Sequence, residues 1–274
     1  MIGRVSSLRE RVSAPHAADW ALGRGIAALT TDDLAGLLGV PADQVRRRLH
    51  APAGRNEWVQ PARGLWVPVP PEYRAWGAPP GVEIIGDLAA HLSIKYYVGW
   101  LSAAALHGAS HHAPQVFQVA TSRGVRDRVV GRTQFQFHKR DTDRVPVVHR
   151  ETRSGSVPVS SVAATMLDLA SDPVIGGGID NTATVVVELV AADGFVLGDL
   201  VDAHRPFRPS ALRRLGWLLD QFADDVDMAG LEALRSIAVD GPPTPARLDP
   251  TRPLAGPVDE RWMVRVNRSV EPDL

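Results

Sequence analysis

The sequence predicts an α+β protein, and three observations carry that expectation. Between Leu29 and Pro70, two short segments with apolar residues at helical spacing precede an alternating stretch. From Gln115 to Val159 several segments alternate with period two, and from Ser160 onward the period is helical.

Taken in order, Asp19 to Leu29 (DWALGRGIAAL) is expected to form a first helix, with Trp20, Ile26 and Leu29 as core candidates. Thr30 can cap the next helix, because its hydroxyl can accept from the backbone three residues on while Asp33 reaches back. Leu34, Leu37 and Leu38 share one face of that helix, and Gly39 ends it. Pro41 suits the opening turn of a further helix, Pro41 to His50, in which Val45 and Leu49 lie one turn apart and point inward. Asp43, Gln44, Arg47 and His50 then point outward, with Arg46 and Arg48 flanking them. Trp58 to Pro70 reads as a hairpin with its turn at Pro61-Ala62-Arg63-Gly64, and Trp58, Leu65 and Trp66 pack it onto the helices.

Helices followed by a hairpin in this order are what a winged helix-turn-helix looks like in sequence. On that reading Arg47 and Gln44 reach base edges, while Arg46 and Arg48 are placed for phosphates; His50, on the outward face, also counts as DNA-binding. Thr31, at the start of the first of these two helices, counts among the DNA-facing residues. Arg63 at the wing tip can enter a minor groove or touch phosphate. Three consecutive arginines are often no more than a solvated helix face; the order of elements around them favours nucleic acid.

The module closes at Pro68-Val69-Pro70-Pro71, and Tyr73 to Gly81 is the expected boundary, giving domains 1–76 and 77–274. Glu83 to Tyr97 and Leu101 to His107 have helical spacing. Gln115 to Thr121, Thr133 to His138, Val145 to Arg150 and Val157 to Val159 are expected strands. Helices are expected over Ser160–Ala170, Asn181–Ala192, Leu197–Ala203, Pro209–Phe222 and Met228–Ile237. Gly241 to Pro257 then reads as a long loop and Arg261 to Val266 as a final strand. The second domain is thus a mixed α/β domain with a helical second half.

With 274 residues, 45% hydrophobic and 22% charged, the chain has the composition of a globular protein long enough for two domains. It has no cysteine, which excludes thiol catalysis, disulfides and thiolate metal sites. No apolar run is long enough to span a membrane and Met1 to Arg11 lacks a secretory core, so the expected location is the cytoplasm. The net charge of −1 hides an uneven distribution: +3 over residues 1–76, +4 over 77–155 and −8 over 156–274. A basic front and an acidic back suit a protein that lays one side on a polyanion.

Catalytic constellations are weak throughout. His107 and His111 have the i, i+4 spacing of a helical metal site, but Gly108 follows the first and the glutamate of a zinc-protease helix is missing; with His112 they read as helix-end and loop histidines. Ser102, His107 and Asp168 lack a nucleophile elbow. Asp180 and Glu188 lack the lysine of a two-carboxylate nuclease centre. Asp141/Asp143 and Asp225/Asp227 read as a turn and a helix start. Gly176-Gly177-Gly178 lacks the Lys-Ser/Thr of a phosphate loop and reads as a connection between helices. No catalytic residue, cofactor or metal is expected.

Taken together, the winged helix ending in Arg63-Gly64-Leu65-Trp66-Val67, the segment Ser102-Ala103-Ala104-Ala105-Leu106-His107-Gly108, the strand Val116 to Thr121, the helix Val159 to Ala170 and the tail Trp262 to Asn267 resemble the AbiEi-type antitoxins of bacterial toxin-antitoxin operons. Trp66 stands where a smaller aromatic is common. The resemblance implies a non-enzymatic DNA-binding antitoxin that represses its own operon and counters a nucleotidyltransferase-like toxin. Its implied partners are double-stranded DNA carrying the inverted repeats of its own promoter and the cognate toxin, with no membrane. It also implies a second basic face, for which Arg123, Arg126, Arg128 and Arg132 are candidates. A competing expectation is a winged-helix regulator with a ligand-sensing C-terminal domain and no toxin partner; a third is a nuclease fused to a winged helix.

Overall fold

The structure, a computed structural model, describes residues 11–109, 116–192, 194–224, 226–241 and 243–273. Contacts divide the chain into two compact units. One comprises Met1–Tyr96, Gln115–Arg140 and His149–Pro158; the other comprises Tyr97–Pro114, Asp141–Val148 and Val159–Leu274. The α+β expectation is borne out, with a winged-helix-like start, mixed strands in the middle and a helical C-terminal half.

The first unit opens with α1 (Ala17–Gly23), β1 (Leu29–Thr30), α2 (Thr31–Leu38), α3 (Ala42–Arg48), α4 (His50–Gly54), β2 (Trp58–Ala62) and β3 (Leu65–Pro68). The predicted helix over Asp19–Leu29 is corrected. It ends at Gly23, because Gly25 takes φ +67° and Ile26 N–H donates back to Ala21 O, closing the helix in a Schellman turn. Leu29 instead joins a strand opposite Trp66. The cap on α2 forms as predicted: Thr30 Oγ1 accepts from Asp33 N at 3.1 Å and Asp33 Oδ2 accepts from Thr30 N at 2.9 Å. Gly39, at φ +65°, closes the same helix.

The helix predicted over Pro41–His50 is shorter than expected. It ends at Arg48, since Pro52 has no N–H to offer the Arg48 carbonyl four residues back and its ring would strike it. His50 therefore opens α4. Val45 and Leu49 are fully buried, and with Ala17, Ala18, Ala21, Leu29, Leu34, Leu37, Trp58 and Trp66 they form one core beneath the hairpin. The three strands run antiparallel in the order β1-β3-β2, with Ala62 opposite Leu65. The turn is therefore Arg63-Gly64, where Gly64 sits at φ +86°.

Next come α5 (Gly81–Leu92), β4 (Tyr96–Val98) and α6 (Trp100–Leu106). The predicted helix Glu83–Tyr97 stops at Leu92, where Ser93 adopts φ +53° and Ile94 N–H returns to Ala89 O; Tyr96 and Tyr97 belong to a strand. Strands β5 (Val116–Thr121), β6 (Arg128–Val130) and β7 (Thr133–Lys139) follow. In the first unit β7 pairs in parallel with β5 and antiparallel with β6. Phe117 and Phe135 meet edge to face at 5.5 Å on this sheet. Phe117 presses on Gly81 at the start of α5 so closely that an added Cβ would lie 2.7 Å from its ring.

Strands β8 (Val147–Thr152) and β9 (Gly155–Ser160) lead to α7 (Val162–Ser171), α8 (Ile179–Val190), α9 (Gly198–Ala203), α10 (Pro209–Phe222) and α11 (Met228–Val239). The second unit is organised on α7, whose residues Ala163 to Ala170 are all buried and which packs against α6, α8, α9 and α10. The run Gly241–Pro257, expected as loop throughout, contributes β10 (Ala246–Arg247). With β11 (Val258–Asp259) and β12 (Val264–Arg265) it makes a small sheet in the order β10-β12-β11. No helix among the described residues is long and apolar enough to cross a membrane.

Candidate nucleic-acid interface

The exposed face of α3 is built by the burial of its opposite face. With Val45 and Leu49 fixed in the core, Arg46, Arg47 and Arg48 are all exposed on the same short helix, and His50 is exposed just beyond it. Gln44 is half-buried and accepts from Arg47 Nη2 at 3.2 Å, so these two side chains share one patch. Thr31 is tied more closely to the scaffold: its Oγ1 accepts from Trp66 Nε1 at 3.1 Å, linking the start of α2 to the wing.

Arg63 is exposed at the turn between β2 and β3. Beyond the wing, the four arginines after β5 fall in the same unit as α3, and they do not behave alike. Arg126 and Arg132 are exposed. Arg123 is also exposed, but its Nη2 donates to Leu92 O at the end of α5. Arg128 is half-buried: Nη1 donates to Pro61 O at 3.1 Å, and the guanidinium lies over the Phe137 ring, 5.5 Å from its centroid. Burial pulls its pKa below the ordinary arginine value.

One contributor escaped the sequence reading. His91, in the last turn of α5, places Nε2 3.0 Å from the carbonyl oxygen of Arg63. The two residues are far apart in sequence, and no periodicity or motif connects them.

The catalytic constellations considered above resolve into structural contacts. His107 Nε2 lies 2.7 Å from Ser160 O, and Ser160 Oγ lies 2.7 Å from Thr165 Oγ1. Asp168, fully buried, accepts from Tyr97 OH at 3.2 Å. Asp180 accepts from Arg268 Nη2 at 2.5 Å and from Glu271 N at 3.0 Å, which fastens the C-terminal segment to α8. Asp141 accepts from Asp143 N within a turn, and Asp227 caps α11 through Ala229 N and Gly230 N, as expected of these positions. Asn181 donates to Gly176 O at the triple-glycine connection between α7 and α8. His111, His112 and Asp225 lie outside the described residues. Among the described residues no group of three or more His, Asp or Glu is placed to hold a metal ion.

The family model of the AbiEi antitoxin C-terminal domain matches residues 97–221. Residues 97–221 are thus similar to an AbiEi antitoxin C-terminal domain. The matched stretch begins at Tyr97, whose hydroxyl meets Asp168, and runs to the last turn of α10. Arg123, Arg126, Arg128 and Arg132 fall within it, while α3 and the wing precede it. Among solved structures, the crystal structure of the RV2827C protein from Mycobacterium tuberculosis is similar over 93% of this chain and 92% of that one. Its TM-score is 0.67 and the sequence identity is 17%. At that identity the likeness speaks for the fold. No curated protein matches the chain.

Proposed function

We propose that this chain is a DNA-binding, non-enzymatic antitoxin that represses its own operon and counters a nucleotidyltransferase-like toxin. The observation that carries the DNA reading is the exposed Arg46-Arg47-Arg48 face of α3, set on a buried Val45–Leu49 base in the same unit as an exposed Arg63. A short basic helix in that position fits the major groove, and a basic turn in the same unit fits the backbone or minor groove. Arg47 and Gln44 read base edges; Arg46 and Arg48 neutralise phosphates, and His50 extends the same exposed surface. Arg126 and Arg132 extend the basic surface of the same unit.

The antitoxin part of the reading rests on the AbiEi match at residues 97–221. DNA is the partner through the first unit, and the toxin is the second partner.

A mobility-shift titration with the chain's own promoter tests the repressor reading. Retarded bands at low salt that persist against scrambled competitor support it, and equal competition by scrambled DNA contradicts it. Co-expression with the product of the adjacent gene tests the antitoxin reading: rescue of growth supports it, and unchanged toxicity contradicts it.

A further inference from the structure

The wing tip is anchored through three of its carbonyl groups. Gly64 O accepts from the backbone N–H of Thr31 at 2.9 Å, Arg63 O faces Nε2 of His91 at 3.0 Å, and Pro61 O accepts from Arg128 Nη1 at 3.1 Å. The donors come from three elements, α2, α5 and β6. An exposed hairpin turn ordinarily leaves such carbonyls to water.

The strand ladder does not hold this tip by itself. The β2–β3 register shifts between Val59 and Ala62, and Pro61, inside that irregularity, has no N–H to give the ladder. Beyond the backbone bond from Thr31, which continues the β1–β3 pairing, the side chains of His91 and Arg128 add restraint from elsewhere in the unit. Arg128 is suited to it: besides Pro61 O, its Nη2 faces Arg126 O at 3.5 Å and its plane covers Phe137. A guanidinium so occupied has little left for a phosphate.

We propose that His91 and Arg128 are positioning residues for the wing, holding the Arg63 turn in place against α5 and β6 and not contacting DNA themselves. The proposal rests on the DNA reading above for its purpose, but the clamp is a property of the free protein. A wing fixed in advance spares the binding step the ordering of the turn, so loosening it weakens binding through Arg63.

Hydrogen–deuterium exchange on the free, full-length chain tests the clamp. Arg128→Met and His91→Phe remove the donors, and Arg126→Ala is the control for loss of a neighbouring charge. Exchange of the peptide covering β2 and β3 is expected to quicken about tenfold in the first two variants and stay unchanged in the third. Arg128→Lys, which keeps the charge without the planar fork, is expected to fall between and provides the reading if Arg128→Met does not fold.

Promoter titrations in two backgrounds test the purpose. Arg128→Met should weaken binding about tenfold in the wild-type background and add nothing in an Arg63→Ala background. Arg126→Ala should weaken binding equally in both. Unchanged wing exchange in both donor-removing variants would overturn the clamp. Equal losses for Arg128→Met in the two backgrounds would make it a direct phosphate contact and overturn the positioning role. If the wild-type chain binds no duplex, the repressor reading fails, and exchange alone decides the clamp.

Discussion

Arg47 and Gln44 are bonded to each other on the outer face of α3, Nη2 to Oε1 at 3.2 Å. On the proposed DNA reading, the amide that accepts from the guanidinium would itself read a base edge. Arg47→Ala is expected to relax sequence preference, costing about 1–3 kcal/mol on the preferred duplex and much less on a scrambled one. Arg46→Ala and Arg48→Ala should weaken both duplexes alike. Fluorescence anisotropy on the two duplexes separates these outcomes.

Gly216, in the middle of α10, is expected to reject even alanine. An added Cβ would lie 2.0 Å from Trp262 Cζ3, and that indole is fully buried with Nε1 donating to Asp220 Oδ2 at 3.2 Å. Helix propensity alone would make Gly216→Ala stabilising by about 1 kcal/mol. Overpacking reverses the sign, giving a loss of about 1–3 kcal/mol in urea unfolding. Pairing it with Trp262→Leu should recover part of the loss relative to Trp262→Leu alone.

Arg214 is expected to be the main tie between α10 and the proline-rich run that follows α11. It is 4% exposed, with Nε donating to Leu248 O at 2.8 Å, Nη2 to Arg247 O at 2.8 Å and Nη1 to Ala170 O. Burial lowers its pKa to about 10, so it stays charged at neutral pH. Lysine keeps the charge but cannot serve three carbonyls at once, and Arg214→Lys should cost about 3 kcal/mol. Faster proteolysis between Gly241 and Pro257 would accompany the lower melting temperature.

Asp87 on α5 should make the first unit less stable as it ionises. Burial raises its pKa above the ordinary aspartate value, and its Oδ2 has no hydrogen-bond partner among the described residues. Between the unfolded pKa of about 4 and the raised folded value, the unfolded chain holds fewer protons, so stability falls as pH rises. Asp87→Asn is expected to raise the melting temperature at pH 7 and leave it unchanged at pH 3. Tyr96, pushed to about 12 by its burial and by the Asp87 charge, should titrate lower in the same variant.

Elements governed by local chemistry were legible in the sequence. The Thr30–Asp33 cap, the αL glycine at position 39, the inward Val45 and Leu49, and the helix from Pro209 to Phe222 follow from capping, turn and periodicity rules. Where the reading missed, a distant partner or a single turn residue decided. Leu29 left the helical pattern because β3 offered it a strand partner, and Ser93 ended α5 in a conformation its residue type rarely takes. Within the candidate interface, exposure of Arg46, Arg47, Arg48 and Arg63 was readable from neighbouring apolar residues. The engagement of Arg128 with Pro61 and of His91 with Arg63 was not, because both contacts join residues far apart in the chain.

The central claim is that the arginine face of α3 binds duplex DNA, and the salt dependence of promoter binding tests it most directly. The wild-type affinity should fall steeply as salt rises, and the slope of log K against log salt should shrink by about 0.9 for each phosphate-contacting arginine lost. A folded Arg46→Ala/Arg47→Ala/Arg48→Ala variant should lose both the affinity and the promoter preference. A variant that binds as tightly, with the same salt slope and preference as the wild type, would contradict the account.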